Sequence, residues 1–156
     1  MLAITPHTSL PIETSASFKA PCPPPTKVII TPQAWKQRRA LKKKPQHVTD
    51  LKFVGSTKGE LLSTLPHCTN LFKLSIKRGD FADSSVEALI IRLDRLGKLT
   101  QLSLANNDLT DEGAYNLFSK TANKLEKIDL SGNYISNEMK ASLQKEAKAK
   151  GILLKI

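Results

Sequence analysis

Residues 99–143 read LTQLSLANNDLTDEGAYNLFSKTANKLEKIDLSGNYISNEMKASL, and they state one phrase twice. Leu99, Leu102, Leu104, Asn107 and Leu109 recur as Leu125, Ile128, Leu130, Asn133 and Ile135, each displaced by the same interval. Leu102 and Leu104 alternate with Gln101, Ser103 and Ala105, the period-two pattern of a short half-buried strand. Asn107 falls where the chain must turn away, and an amide there can pair backbone groups that a bend would otherwise bury unsatisfied. Thr110 or Asp111 then offers a helix cap, and Ala114, Leu117 and Phe118 form an apolar stripe at helical spacing. Strand, turn, helix and return make one coil.

The wording L-x-x-L-x-L-x-x-N-x-L, recurring at a period of about 26 residues, resembles the leucine-rich repeat, whose units run to roughly 20–29. Asp129-Leu130-Ser131-Gly132-Asn133 is similar to the phrasing of the ribonuclease-inhibitor type, in which a strand and a full helix alternate. The resemblance implies a short right-handed α/β horseshoe, with a parallel sheet on its concave face and helices on its convex face. It implies a scaffold whose exposed positions, not its fold, choose the partner.

Outward from the doubled phrase the copies are less regular. Val48, Leu51 and Phe53 match the strand, and Thr57-x-x-Glu60 reads as a capping box before Leu61, Leu62 and Leu65. Leu71, Leu74, Ile76 and Phe81 match again, with Gly79 in place of the turn asparagine. Ser84-x-x-Glu87 reads as a second capping box, opening a helix that turns Val86, Leu89, Ile90 and Leu93 inward. After the good copies, residues 136–150 form a Lys-rich amphipathic helix stopped by Gly151, and Leu154 and Ile156 place a last strand. Starts at Val48, Leu71, Leu99, Leu125 and Gly151 set the coils roughly 23–28 residues apart, one repeat unit each. That last strand leaves a sheet edge, for which a self-sufficient cap and a monomer are expected ahead of an edge-mediated dimer.

The first 45 residues differ in character. They carry eight Lys/Arg against Glu13 alone, and eight of the nine prolines. Residues 1–27 read as a disordered Pro-rich tail, in which Pro23-Pro24-Pro25 serves as a solvated tether or as a polyproline ligand. No basic segment leads into an apolar core there, so no Sec-type signal is expected and no segment spans a membrane. Residues 28–45 read as an N-terminal cap on the repeat domain of 46–156. Val28, Ile29 and Ile30 make a strand-like run, Thr31 and Pro32 open a basic helix around Trp35, and Pro45 stops it. Lys36, Arg38, Arg39, Lys42, Lys43 and Lys44 make that helix the most basic place in the chain. It is a polyanion site for nucleic acid or acidic lipid, or a solvated helix end whose cations complement the macrodipole.

No catalytic constellation is legible, and no enzyme activity, metal or cofactor is expected. His7, His47 and His67 are scattered, and Cys22 and Cys68 have no zinc-ligand spacing. Cys68 is expected to fill a core niche. Some relatives of this repeat type activate a GTPase, but Arg78 stands in no motif that carries such a role, so regulation of a small GTPase is kept only as an alternative.

What remains is binding. The residues alternating with buried leucines on each strand face the concave side: Asp50, Lys52 and Val54; Lys73, Ser75 and Lys77; Gln101, Ser103 and Ala105; Lys127, Asp129 and Ser131; Leu153 and Lys155. Five lysines to two acids favour a partner protein with an acidic surface, bound with modest affinity. Low aromatic content, a lysine-rich helix and a short free-standing array resemble bacterial leucine-rich effectors delivered into host cells, which implies a cytoplasmic or host-cell location.

Overall fold

Thr26–Ile30 (β1) opens a sheet in which every later strand joins beside its predecessor. A computed structural model describes residues 26–31, 39, 41–55 and 58–156, the side chain of Lys58 excepted. The strands are β1, Val48–Val54 (β2), Lys73–Lys77 (β3), Gln101–Ser103 (β4), Lys127–Asp129 (β5) and Leu153–Lys155 (β6). All five pairings are parallel, in the order β1-β2-β3-β4-β5-β6. Parallel neighbours need a crossover. From β2 onward helices supply it: Lys58–Thr64 (α1), Asp83–Leu93 (α2), Asp111–Thr121 (α3) and Asn137–Ala149 (α4). α1 packs on α2, α2 on α3, and α3 on α4, so one layer of helices backs one sheet. The fold is an open α/β leucine-rich-repeat solenoid.

The repeat's apolar positions make its core. One row across the sheet pairs Val28, Leu51, Leu74, Leu102, Ile128 and Leu154, and its first five members are buried. Ile30, Phe53 and Ile76 form a second row, and Leu104 and Leu130 are buried in the same core. Leu89, Leu117, Phe118 and Leu143 close it from the helices. Each such side chain contributes about 1.5–3 kcal/mol by leaving water, so adjacent coils stabilise each other chiefly through these rows. Leu41, in the helical stretch at 41–43, is also buried in this core.

Three polar ladders hold the bends. Asn107 Nδ2 donates to the carbonyls of Ile76 at 2.9 Å and Leu104 at 2.8 Å, while its Oδ1 accepts the Gly79 N–H at 2.9 Å. Asn133 repeats this one coil later, on Leu104 and Leu130, and accepts the Leu109 N–H. At the helix C-termini, Arg92 Nε donates to Leu62 O at 2.7 Å, and Lys124 Nζ donates to Leu93 O and Asp94 O. Each cation reaches carbonyls at the end of the preceding helix, where the macrodipole is negative.

The third ladder corrects two expected caps. Helix α2 starts at Asp83 with Ala82 before it, so Ser84 lies inside the first turn and caps nothing. Thr110 does hold the N-cap position of α3, but its hydroxyl and N–H both go to the Asp83 carboxylate one coil earlier. Ser136 likewise donates through N–H and hydroxyl to Asp111 at 2.7 and 2.6 Å. Acid on one coil and hydroxyl on the next make a stronger bond than a neutral cap. Gly113 is required beside this ladder, because a Cβ there would overlap the Asp83 carboxylate.

Helix α4 ends as the sequence indicates. Gly151, at φ +70°, sends its N–H to Lys148 O, and Ile152 sends its own to Ala147 O, the paired bonds of a Schellman motif. Thr57, Pro32, Trp35, Lys36, Arg38, and residues 1–25 of the expected tail lie outside the described residues.

Candidate binding face

On a pleated strand, what does not face the core faces the other way. The register therefore sorts the non-core residues into rows. The first row runs Lys27, Asp50, Lys73, Gln101, Lys127 and Leu153, and the second runs Ile29, Lys52, Ser75, Ser103, Asp129 and Lys155. Val54 and Lys77 begin a third. Most of these residues surround a depression of about 290 Å³ on the sheet face, floored by the strands themselves.

The nine positions expected to meet a partner all lie on this face, but differ in reach. Lys73, Lys127 and Lys155 are exposed; Lys52, Lys77, Gln101, Ser103 and Asp129 are half-buried. Ser75 is recessed, with 7% of its surface exposed, and lies on the depression's lining. Lys155 flanks the depression and does not line it. Ala105, another expected face residue, is buried. Lys27 was not among the expected residues. It continues the first row because β1 starts at Thr26, and its signal in the sequence is alternation with the inward Val28 and Ile30.

The charges are unequal in freedom. Asp129 accepts from Ser131 N–H at 3.1 Å and Ser131 hydroxyl at 2.6 Å, with Ser103 Oγ at 3.4 Å. Burial works hardest against its ionised form, yet the Ser131 bonds, Lys155 and Lys77 together hold its carboxyl below the ordinary aspartate range. Asp50 accepts from the Thr49 hydroxyl. Lys27, Lys52, Lys73, Lys77 and Lys127 make no ion pair or side-chain hydrogen bond among the described residues. The face thus presents five ammonium groups outside any close ion pair against two carboxylates, of which Asp129 is held ionised in part by Lys77.

The other candidates stand apart. Arg39, Lys42, Lys43 and Lys44 are exposed and do not line the depression. Lys36 and Arg38 lie outside the described residues. Arg78 is exposed just past β3 at φ +52°, its N–H bonded to Asn106 O. Cys68 is fully buried, its Sγ against Thr64 O, and burial pushes its thiol up to about 11. Such a thiol is a poor nucleophile. Among the described residues no three His, Cys, Asp or Glu side chains gather to hold a metal ion, and no helix is long and apolar enough to cross a membrane.

The profile of the Leucine Rich repeat family matches residues 98–118, the strand and first helical turns of the better-formed coil. The strand-by-strand register and the repeated asparagine bonds carry the same arrangement into the neighbouring coils, so the fold is that of a leucine-rich repeat. No curated protein matches the sequence. Among solved structures, the chain is similar to an internalin (InlF) from Listeria monocytogenes, at 22% identity and a TM-score of 0.37. That likeness covers 69% of this chain and 33% of the internalin chain, so the protein spans about a third of that length.

Proposed function

We propose that this protein is a non-enzymatic protein-interaction module that holds an acidic partner surface on its strand face. The observation that carries this is the imbalance within one depression: five lysines line it against two acids. A cationic concavity steers an acidic partner and sets its orientation, and salt weakens such binding. Lys52, Lys73, Lys77, Lys127 and Lys155 supply the charge, with Lys27 joining them, while Ser75, Gln101, Ser103 and Asp129 supply hydrogen-bonding groups between them. Residues 28–45 serve this domain as its N-terminal cap, a reading supported by buried Val28, Ile30 and Leu41.

Full helices between strands that recur at a near-constant interval support the ribonuclease-inhibitor-like type of repeat. The short lysine-rich array supports a bacterial effector acting in a host cell as the biological setting. The test is capture from nuclease-treated host-cell lysate by the intact chain and by a Lys73→Glu/Lys77→Glu/Lys127→Glu variant, with mass spectrometry. A protein retained by the intact chain and lost from the variant is expected. Recovery by both chains alike, or recovery that vanishes with nuclease, would move the site to Arg39, Lys42, Lys43 and Lys44 and their polyanions.

A further inference from the structure

Ser75 is unusual among the polar residues of the sheet. It is more than nine-tenths buried, and its hydroxyl has no hydrogen-bond partner among the described residues. A recessed hydroxyl with no protein partner keeps its hydrogen-bonding capacity for a ligand. Its surroundings say which. Lys73 and Lys77 precede and follow it by two residues on β3, so all three project to one face about 7 Å apart along the strand. Lys52 is its direct partner on β2 and Ser103 its direct partner on β4. Three lysines thus neighbour one hydroxyl on the lining of the depression.

The acids nearby offset this set only in part: Lys77 already favours the ionised form of Asp129, yet five lysines line the depression against two acids. Asp50 lies beside Lys73 and takes the Thr49 hydroxyl; Asp129 is two strands from Ser75, about 10 Å away, and is engaged by Ser131. A carboxylate would neutralise one of the three lysines. A phosphomonoester, with a charge of about −1.5 to −2 and three acceptor oxygens, matches three ammonium groups and a hydroxyl better. A volume of about 290 Å³ suits a single headgroup, at the small end of ligand pockets. Since Ser75 is recessed while Lys73 is exposed and Lys52 and Lys77 are half-buried, the group must be carried on something that projects inward. A side chain of an extended segment laid across the strands does so, and a flat bilayer surface does not.

We infer that Lys52, Lys73, Lys77 and Ser75 form a phosphoryl-binding subsite that takes a phosphoserine or phosphothreonine side chain of the partner protein. This rests on the strand-face reading above and names what the partner presents there.

The test is an amide-correlation NMR titration of the full chain with inorganic phosphate, with a short peptide bearing one phosphoserine, and with the same peptide bearing serine or glutamate. Saturable shifts at Lys52, Lys73, Ser75 and Lys77 are expected with the phosphopeptide, weaker ones at the same amides with phosphate, and none with the serine peptide. Ser75→Ala should weaken phosphopeptide binding about tenfold, as for loss of one hydrogen bond to a charged group, and Lys145→Gln on α4 should not change it. Absence of saturable shifts at these amides, or a glutamate peptide that binds as tightly, would overturn the inference. So would tighter binding to vesicles containing a phosphoinositide than to the phosphopeptide. A partner still lost on charge reversal while the phosphopeptide fails to bind would leave the interaction module standing and remove this subsite alone.

Discussion

Asn107 Oδ1 accepts the backbone N–H of Gly79 at 2.9 Å, joining two successive coils. The same amide closes its own turn through Leu104 O and reaches back to Ile76 O. One side chain therefore satisfies backbone groups on both coils, in a place that water does not reach: Asn107 is 4% exposed.

Asn107→Ala removes those bonds and leaves the Gly79 N–H buried without its acceptor. A loss of roughly 2–4 kcal/mol is expected, the scale for unpaired buried groups. Asn133→Ala should cost less, about 1–2 kcal/mol, because Asn133 is only half-buried and water can replace part of its bonding. Urea denaturation of both variants checks the order. Equal effects would mean that burial does not set the difference.

Gly113→Ala should destabilise by about 1–3 kcal/mol, the scale for overpacking, and should break the bond between Asp83 and Thr110. Gly97→Ala is the control, since its Cβ would meet nothing within 4 Å and its backbone is unstrained. Thermal melts that show the two variants alike would contradict the close approach of α2 and α3 at this point.

Acid should loosen the coil ladder. The Ser136 hydroxyl and then its N–H hold the Asp111 carboxyl below the ordinary range, with Lys140 adding to them against a smaller cost of desolvation. A carboxyl whose folded pKa lies below its unfolded value of about 3.9 binds fewer protons folded than unfolded. Its contribution is then full well above about pH 4 and fades as pH falls through the lowered folded value. Asp129 acts in the same direction. Asp111→Asn should be less stable than the parent at neutral pH and should lose less on acidification. Melting temperatures at neutral and acid pH measure both.

Cys68 should be silent toward thiol reagents at neutral pH. Its thiol is buried and raised to about 11, so little thiolate is present and little of that is reachable. In a Cys22→Ser background, labelling should appear only as urea unfolds the domain. Rapid labelling of the folded chain would show that the niche opens.

The sequence carried the scaffold plainly because the same burial problem recurs in every coil. Leu102 and Ile128 must face the core at equivalent places, so the recurrence is visible without any structure. The asparagine turns were legible for the same reason. Ladder bonds between coils were harder. Ser84-x-x-Glu87 has the spacing of a capping box, but the helix begins one residue earlier, and Asp83 is spent on Thr110 instead. The signal lay in the recurring pairs Thr110-Asp111 and Ser136-Asn137, which matter only once the coils are stacked. Within the candidate face, alternation placed Lys73, Ser75 and Lys77 together, yet it gave no hint that Ser75 is recessed between lysines. Depth within a sheet face comes from neighbours on other strands. Lys27 escaped for a related reason, since a strand of the capping segment has no leucine phrase to announce it.

Lysine footprinting addresses the strand-face claim most directly. The chain is acetylated under limiting reagent, alone and with the partner captured by it, and each lysine's modification is read by mass spectrometry. Protection of Lys52, Lys73, Lys77 and Lys127 is expected, with Lys42, Lys43, Lys44 and Lys145 modified at their free rates. Protection confined to Lys42, Lys43 and Lys44, with the strand-face lysines as reactive as in the free chain, would contradict it.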